Sequence, residues 1–367
     1  MKKKNIVFFM PFIGIGGVEK NLFLIANHIS NKQDNIYVCT ASKKCRKKFN
    51  SNIKILSPKK KLSDKVSIRI RYMYCLFALY FFLIKNKNTV VFCFQGNIYC
   101  ILLCKILNIK IIVRSNTSPY GWGHGFLKKF LYKKIINFAD AVVTNSIEFK
   151  IQMKRKFFIK PVFIYNPLNR NEIIKKSKEK FSFKFFENKR CIKIINVARL
   201  TEQKDHITIL KSAEILKKKN ISFKILIIGS GDQEKNLKKF IKNKILKNSV
   251  KIINFQKNPY KFINKSDIFI LSSKYEGLPN SLLEAALLKK FIITSNCPTG
   301  PKEIILNGKG GLLFKVGDHV DLSNKIIKFI NNKKKFKYKI KNTYMSLNRF
   351  DYKINLEKYY NLAKKYI

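Results

Sequence analysis

The sequence is poor in acidic residues, histidine and tryptophan. Its 367 residues include 21 Asp and Glu against 76 Lys and Arg, with four His and one Trp, and the formal net charge is +55. The eight cysteines form no Cys-x-x-Cys pair and have no histidine cluster beside them, so we do not expect structural zinc. Most cysteines follow apolar patterns, which is typical of reduced core residues in a cytosolic protein.

Long apolar runs are also missing. The longest covers residues 72–84, and a membrane-spanning helix needs about 20 residues. We interpret this run as a buried helix, with an interfacial helix flanked by Arg69, Arg71 and Lys85 as the alternative. The N-terminal residues lead straight into an apolar strand, so no signal peptide is predicted.

Several motifs of other chemistries are absent, including Gly-x-Ser-x-Gly, a Walker loop and His-Glu-x-x-His. Only nine of the basic residues are arginines, whereas a nucleic-acid reader usually concentrates arginine for bidentate contacts. Because the lysines are scattered, we interpret most of them as a solvated coat and expect no nucleic-acid partner. The positive surface does favour an anionic membrane surface, with each nearby lysine contributing about 1 kcal/mol.

Short apolar strand patterns alternate with helical patterns along the whole chain, which indicates an α/β protein with parallel sheets and two Rossmann-like domains. We predict strands at 6–10, 36–40, 53–56, 90–94, 110–113, 141–144, 162–165, 193–197, 224–228, 251–254, 268–271, 291–294 and 311–314. We place the domains at 1–168 and 191–348, with a lysine-rich linker at 169–190 and a final helical segment at 349–367.

Two carboxylates bracket the most informative stretch. Glu276 follows the apolar run 268–271, and Glu284 lies at the start of a helical pattern beyond a Gly-Leu-Pro-Asn turn. Ligands of open α/β sheets bind at the carboxyl ends of strands, and a helix start suits a phosphate or a sugar hydroxyl. The alternative is a capping box formed by Ser281 and Glu284, which only closes the helix.

The spacing of these carboxylates resembles the Glu-x7-Glu motif of retaining glycosyltransferases of family 4, which use nucleotide sugars. The segments 196–206, 295–305 and 307–314 resemble the same family in order and spacing. The resemblance implies a GT-B fold, with the two Rossmann-like domains facing one another across a cleft. It also implies that the helix at 349–367 returns to the N-terminal domain.

The resemblance assigns roles at the donor site. Arg199 and Lys204 follow the first strand of the second domain, where two cations suit a diphosphate. By resemblance, Glu276 holds the donor sugar together with the backbone nearby, and Glu284 bonds the ribose. The other donor-binding residues implied are Gly277, Leu278, Asn280, Ser281, Gly229, Gly231, Gly16 and Gly17. For the glycine loops, ordinary tight turns remain the alternative.

Acceptor-side candidates are few. Many family members carry a histidine after the fifth strand of the first domain, where this chain has Arg114 and Asn116. We expect either residue to contact donor or acceptor. His124 lies in a glycine-rich loop and is a further candidate on the acceptor side.

We therefore expect a retaining hexosyl- or N-acetylhexosaminyl-transferase that moves a sugar from a nucleotide sugar, such as a UDP-sugar, to a lipid-linked or polysaccharide glycan at the cytoplasmic face of a membrane. No cofactor is expected, and no metal, because the Asp-x-Asp motif of GT-A enzymes is absent. Two alternatives stay open: a GT-B nucleotide-sugar epimerase, and a basic nucleic-acid-binding protein.

Overall fold

The computed structural model describes residues 4–14, 16–57, 67–95, 98–116, 126–188 and 190–367. It divides the chain into two compact units. Unit 1 comprises Met1–Pro167 and Tyr352–Ile367, and unit 2 comprises Leu168–Asp351. The final segment thus belongs to the same unit as the N-terminal half of the chain.

Unit 1 contains a parallel sheet. Its strands are β1 (Asn5–Phe9), β2 (Ile36–Cys39), β3 (Lys54–Leu56), β4 (Thr89–Cys93), β5 (Lys110–Arg114), β6 (Ala141–Thr144) and β7 (Val162–Phe163). Their order across the sheet is β3-β2-β1-β4-β5-β6-β7. The central strands are short apolar runs because a parallel sheet covered on both faces buries every side chain. Ile6 and Phe8 point into one core, and Val7 and Phe9 into the other.

The helices that follow these strands are α1 (Gly17–Ser30), α2 (Ile68–Lys85), α3 (Ile98–Ile106), α4 (Phe126–Ile136) and α5 (Ile147–Phe157). Helices α2, α3, α4 and α5 contribute to one core, which also holds five buried free cysteines. This placement agrees with the expected role of cysteine as a small core residue. The interpretation of residues 72–84 as a buried helix holds for one face of α2 only, since the other face is exposed.

Unit 2 contains a second parallel sheet with the order β10-β9-β8-β11-β12-β13. Its strands are β8 (Ile192–Val197), β9 (Phe223–Ile228), β10 (Val250–Ile253), β11 (Ile268–Leu271), β12 (Phe291–Ser295) and β13 (Leu312–Phe314). Its helices are α6 (Arg170–Ser177), α7 (His206–Lys218), α8 (Glu234–Asn243), α9 (Tyr260–Asn264), α10 (Asn280–Leu287), α11 (Gly300–Ile304), α12 (His319–Asn331) and α13 (Lys337–Met345).

The chain ends with α14 (Tyr352–Lys364), which packs in unit 1. Leu356, Tyr359 and Ala363 lie in the same core as α1. Lys32, two residues after the end of α1, donates to Glu357 of α14 over 2.5 Å, so charge pairing adds to the apolar contact. Because the exposed pair is screened by water, the buried residues supply most of the attachment.

The expected linker at 169–190 is instead a folded part of unit 2. Asn169 caps α6 by accepting a hydrogen bond from the Glu172 amide. Phe181 and Phe183 pack edge-on against Phe262 of α9, with ring centroids 4.7 and 5.1 Å apart. Lysines flank this aromatic pair at positions 180 and 184, so the sequence pattern does not reveal its packing. The expected α/β fold class with two Rossmann-like domains is confirmed.

Candidate active site

Two loops meet at the carboxyl ends of neighbouring strands in unit 2. One follows β8 and covers residues 198–205, and the other follows β11 and covers residues 272–279. The Lys274 amide donates to the Gln203 carbonyl, and the Gln203 side chain donates to the Tyr275 carbonyl, both over 2.8 Å. The Ser272 hydroxyl donates to the Lys204 carbonyl over 2.7 Å. These bonds fix the two loops to each other before any ligand arrives.

Lys204 and Glu276 form an ion pair across these loops. Lys204 Nζ lies 2.5 Å from Glu276 Oε1, and the side chains are 14% and 7% exposed. The Ser273 hydroxyl donates to the same carboxylate oxygen over 2.6 Å. An ammonium has three donors, so Lys204 retains donor capacity beyond Glu276. The arrangement is a partly buried, oriented cation beside a buried, oriented anion.

Glu284 lies on α10 and is buried. The Tyr260 hydroxyl of α9 donates to its Oε1 over 3.3 Å. Helix α10 begins at Asn280 with Pro279 as its N-cap, and it has no side-chain capping hydrogen bond. The capping box of Ser281 and Glu284 is therefore not formed, because Ser281 already lies inside the helix. Glu284 is one turn in from the helix start and faces α9.

The loop after β9 packs against the loop after β8 so closely that two positions require glycine. A Cβ atom on Gly229 would lie 1.9 Å from the Ala198 carbonyl oxygen, and one on Gly231 would lie 2.2 Å from that of Leu200. Leu200 and Ser230 also bond through their backbones over 3.0 Å. The glycines thus serve to position the loop that carries Arg199 and Lys204.

The segment after β12 supports the loop of Glu276 from the other side. The Thr299 hydroxyl donates to the Glu276 carbonyl, and the Gly300 amide donates to the Gly277 carbonyl over 2.9 Å. Cys297 lies beside these residues, and burial together with the nearby Glu276 charge raises the pKa of its thiol to about 12. A thiol with this pKa stays protonated at neutral pH and is a poor nucleophile.

A buried histidine, His206, also contributes to the site. His206 Nε2 lies 3.0 Å from Asn196 Oδ1, and the Asn196 amide donates to the Ile270 carbonyl over 2.8 Å. The chain of contacts thus runs from α7 through β8 to β11. Burial, with a smaller effect of the Lys204 charge, lowers the pKa of His206 to about 3. His206 is therefore neutral at physiological pH, and its role is to position the elements around Lys204.

The remaining donor-side candidates of unit 2 lie on the same loops. Arg199 is exposed, and its guanidinium makes no hydrogen bond or ion pair with the part of the chain that the structure describes. Gly277 and Leu278 are buried between β11 and α10, and Asn280 and Ser281 open α10. Sequence reasoning named these positions but missed the supporting side chains, which are Ser273, Tyr260, Gln203 and Thr299. Gln203 and Thr299 did have a signal, since they lie in the matching segments 196–206 and 295–305.

In unit 1, Gly16 and Gly17 are exposed at the start of α1, where Gly16 is the N-cap. Glu19 lies in the first turn, and a Cβ atom on Gly16 would lie 2.7 Å from Glu19 Oε2. A carboxylate at this position stabilises the helix start. The Glu19 carboxylate also disfavours binding of a second anion to the backbone amides at the start of α1.

Arg114 is buried at the end of β5, with 1% of its surface exposed. Its guanidinium donates to Tyr359 Oη over 3.0 Å, to Asn166 Oδ1 over 2.7 Å and to Asn116 Oδ1. Asn116 in turn donates to the Phe94 carbonyl. The acceptor-side role of Arg114 and Asn116 stays a prediction, and their described contacts tie α14 to the sheet. His124, the third acceptor-side candidate, lies outside the described residues.

Within the described ranges, no group of three or more His, Cys, Asp and Glu side chains could hold a metal ion. The described helices likewise include none that is both long and apolar enough to cross a membrane. The expectations of no metal and no cofactor stay predictions.

The segment that carries this site is similar to known proteins. Residues 177–345, which make up most of unit 2, match the model of the family described as Glycosyl transferases group 1. An uncharacterized glycosyltransferase of Methanocaldococcus jannaschii is 32% identical over 218 residues, 56% of this chain and 53% of that protein. By sequence, the matched segment is similar to the group 1 glycosyl transferases.

A second relative is the N-acetylgalactosamine-N,N'-diacetylbacillosaminyl-diphospho-undecaprenol 4-alpha-N-acetylgalactosaminyltransferase of Campylobacter jejuni. It is 27% identical over 196 residues, 53% of this chain and 51% of that protein. This chain thus spans about half the length of these two curated relatives. Among solved structures, Anabaena HepE in complex with UDP-glucose matches with a TM-score of 0.79 at 16% identity, over 99% of this chain and 100% of that one. This likeness shows that the fold is that of the GT-B glycosyltransferases.

Proposed function

We propose that this chain is a retaining glycosyltransferase that moves a hexosyl or N-acetylhexosaminyl group from a UDP-sugar to a lipid-linked or polysaccharide glycan. The observation that carries the proposal is the pair of the partly buried Lys204 and the buried Glu276, with Glu284 on the adjoining helix, at the carboxyl ends of β8 and β11. A lysine and two carboxylates in this position suit a ligand with both phosphates and sugar hydroxyls. The residue roles below rest on the family resemblance.

Arg199 and Lys204 would bind the donor diphosphate. Charge builds on this group as the bond to the sugar breaks, so cations held in place lower the barrier by electrostatic stabilisation. Lys204 is oriented by Glu276 and by the bond from Ser272 to its carbonyl. Arg199 is exposed and unpaired within the described residues, so its guanidinium is available to a ligand.

The carboxylates would bind the sugars of the donor. Glu276 accepts from Lys204 and Ser273 through Oε1, and a carboxylate has further lone pairs for sugar hydroxyls. Glu284, which accepts from Tyr260, would bond the ribose. In the proposed mechanism the acceptor attacks from the face that the diphosphate leaves, and the leaving phosphate takes the acceptor proton. This route retains the configuration of the sugar and needs no protein nucleophile.

The names of the similar proteins support the choice of substrates. Anabaena HepE is described in complex with UDP-glucose. The Campylobacter jejuni relative is named for an acceptor linked to diphospho-undecaprenol, which is a lipid carrier. We therefore propose that this chain acts on a lipid-borne acceptor at the cytoplasmic face of a membrane. The net charge of +55 favours an anionic lipid surface there.

Binding of nucleotides by the folded protein tests this proposal. A ligand that binds only the native state raises the melting temperature, so we expect UDP and at least one UDP-sugar to do so, with a smaller effect from UMP. The Lys204→Met variant should lose most of the difference between UDP and UMP, because that difference is the terminal phosphate. A melting temperature that no nucleotide raises would contradict the proposal, and conversion of a UDP-sugar to its epimer without an acceptor would favour an epimerase.

A further inference from the structure

Helix α2 of unit 1 has an apolar face that no described residue covers. Its large side chains there are between 37% and 59% exposed, and they are Ile68, Ile70, Met73, Phe77, Tyr80, Phe81 and Ile84. From Ile70 onward they recur at intervals of three and four residues, so they form one stripe along the helix. The stripe from Ile70 to Ile84 is about 21 Å long at 1.5 Å per residue.

The opposite face of α2 is the one that the fold uses. Cys75, Leu79 and Leu83 are fully buried in the core beneath the helix. A helix on the surface of a globular protein needs only this one apolar stripe. The second stripe therefore adds little to the packing of the described residues of unit 1, and its exposure to water is unfavourable.

The charges around this stripe indicate which kind of surface could cover it. Helix α2 contains no acidic residue, and the basic residues Arg69 and Lys85 lie at its two ends, next to Lys87. The neighbouring helix α4 adds the exposed Phe130, Leu131 and Lys134. A second copy of this chain would bring another net charge of +55 and would be repelled. An anionic lipid surface matches both the apolar stripe and the flanking cations.

We propose that α2 lies in the plane of an anionic membrane and inserts the stripe from Ile68 to Ile84 below the headgroups. Phe77 and Phe81 anchor the centre of the stripe, while Arg69, Lys85 and Lys87 contact lipid phosphates at its ends. This assignment names the face that makes the membrane contact of the proposed function. It does not depend on the chemistry of unit 2.

Vesicle co-sedimentation tests the assignment. We expect the full chain to bind phosphatidylcholine vesicles that contain phosphatidylglycerol and to bind pure phosphatidylcholine much less. The double variant Phe77→Ser, Phe81→Ser should lower the partition coefficient by about tenfold or more, since two anchors lose apolar burial. The matched control is Tyr338→Ser, Met345→Ser on α13 of unit 2, which removes two side chains that are 50% and 61% exposed. This control should bind like the parent chain.

Insertion is distinguished from adsorption by fluorescence. In a Trp122→Phe background, Phe77→Trp places the only tryptophan on the stripe, and we expect brominated lipid to quench it on anionic vesicles. Equal vesicle binding by the Phe77, Phe81 double variant, or no quenching, would overturn the proposal. So would a dimer in solution that the double variant dissociates, because a second copy would then cover the stripe. UDP binding by the double variant should match that of the parent, which separates failure of this inference from failure of the proposed function.

Discussion

The two units use similar sheets for different kinds of surface. Unit 2 gathers polar side chains at the carboxyl ends of β8 and β11, where Lys204 is paired with Glu276 and the loops are bonded to each other. At the carboxyl end of β5 in unit 1, the guanidinium of Arg114 is enclosed by Asn116, Asn166 and Tyr359, which are all neutral. Unit 1 also carries most of the exposed large hydrophobic side chains among the described residues.

The comparison separates two ways of holding a cation inside the fold. Lys204 has a carboxylate partner and 14% exposure, so a ligand phosphate can compete for it. Among the described residues, Arg114 is held by polar side chains without a carboxylate and by the ring of Phe94, 5.5 Å away, and it is 1% exposed. Its contact with Tyr359 joins α14 to the sheet. The first arrangement is typical of a site and the second of a structural bond, because a group saturated by the fold has little capacity left for a ligand.

The largest expected effect comes from Lys204→Met. Loss of one charge-stabilising donor should lower turnover about a hundredfold, and the unpaired Glu276 should lower the free energy of unfolding by about 3 kcal/mol. Adding Glu276→Gln should restore much of the stability but not the turnover. Arg114→Met should also destabilise the chain, yet leave the affinity of unit 2 for UDP unchanged. An equal loss of UDP affinity in Lys204→Met and Arg114→Met would contradict the distinction between these two cations.

Gly229→Ala should destabilise unit 2, because its Cβ atom would lie 1.9 Å from the Ala198 carbonyl oxygen and the backbone must shift. We expect a loss of about 1–3 kcal/mol, the usual range for overpacking, together with weaker UDP binding. The control is Asp232→Ala, an exposed position three residues later, which should change stability little. Chemical denaturation with and without UDP measures both effects. A fully stable Gly229→Ala protein would show that the two loops do not depend on each other.

Acid should weaken unit 2 through His206. The folded pKa is lowered to about 3 by burial, whereas the unfolded value is about 6.5. The unfolded state therefore binds the extra proton between these values, and stability falls as the pH decreases, by up to about 1.4 kcal/mol per pH unit. His206→Gln should reduce this slope, while His319→Gln, at a partly exposed position, should not. Denaturation midpoints from pH 7 to pH 4 provide the measurement, and equal slopes would place His206 outside the folded core.

The smallest effect is expected at Glu284. A ribose contact is present in both the ground state and the transition state, so Glu284→Gln should weaken UDP binding by about tenfold and leave turnover at saturation nearly unchanged. Tyr260→Phe removes the hydroxyl that orients Glu284, and it should give a smaller loss in the same direction. Calorimetric titration with UDP measures both. Unchanged affinity in Glu284→Gln would remove this residue from the site.

The fold could be predicted because each strand is a short apolar run between helical patterns. Helix α6 lies in the stretch predicted as a linker, because it is polar and lysine-rich and buries only a few residues, among them Ile173. The motifs located Lys204, Glu276 and Glu284, which lie close to their own strands. The contacts of Arg114 could not be predicted, because Asn166 and Tyr359 are 52 and 245 residues away in sequence.

Hydrogen exchange with and without UDP tests the central claim most directly, namely that unit 2 alone carries the nucleotide site. The account predicts slower exchange at residues 198–205 and 272–284, in the two bonded loops and α10, and no change in α2 or around Arg114. Protection confined to unit 1, or spread evenly over both units, would contradict it.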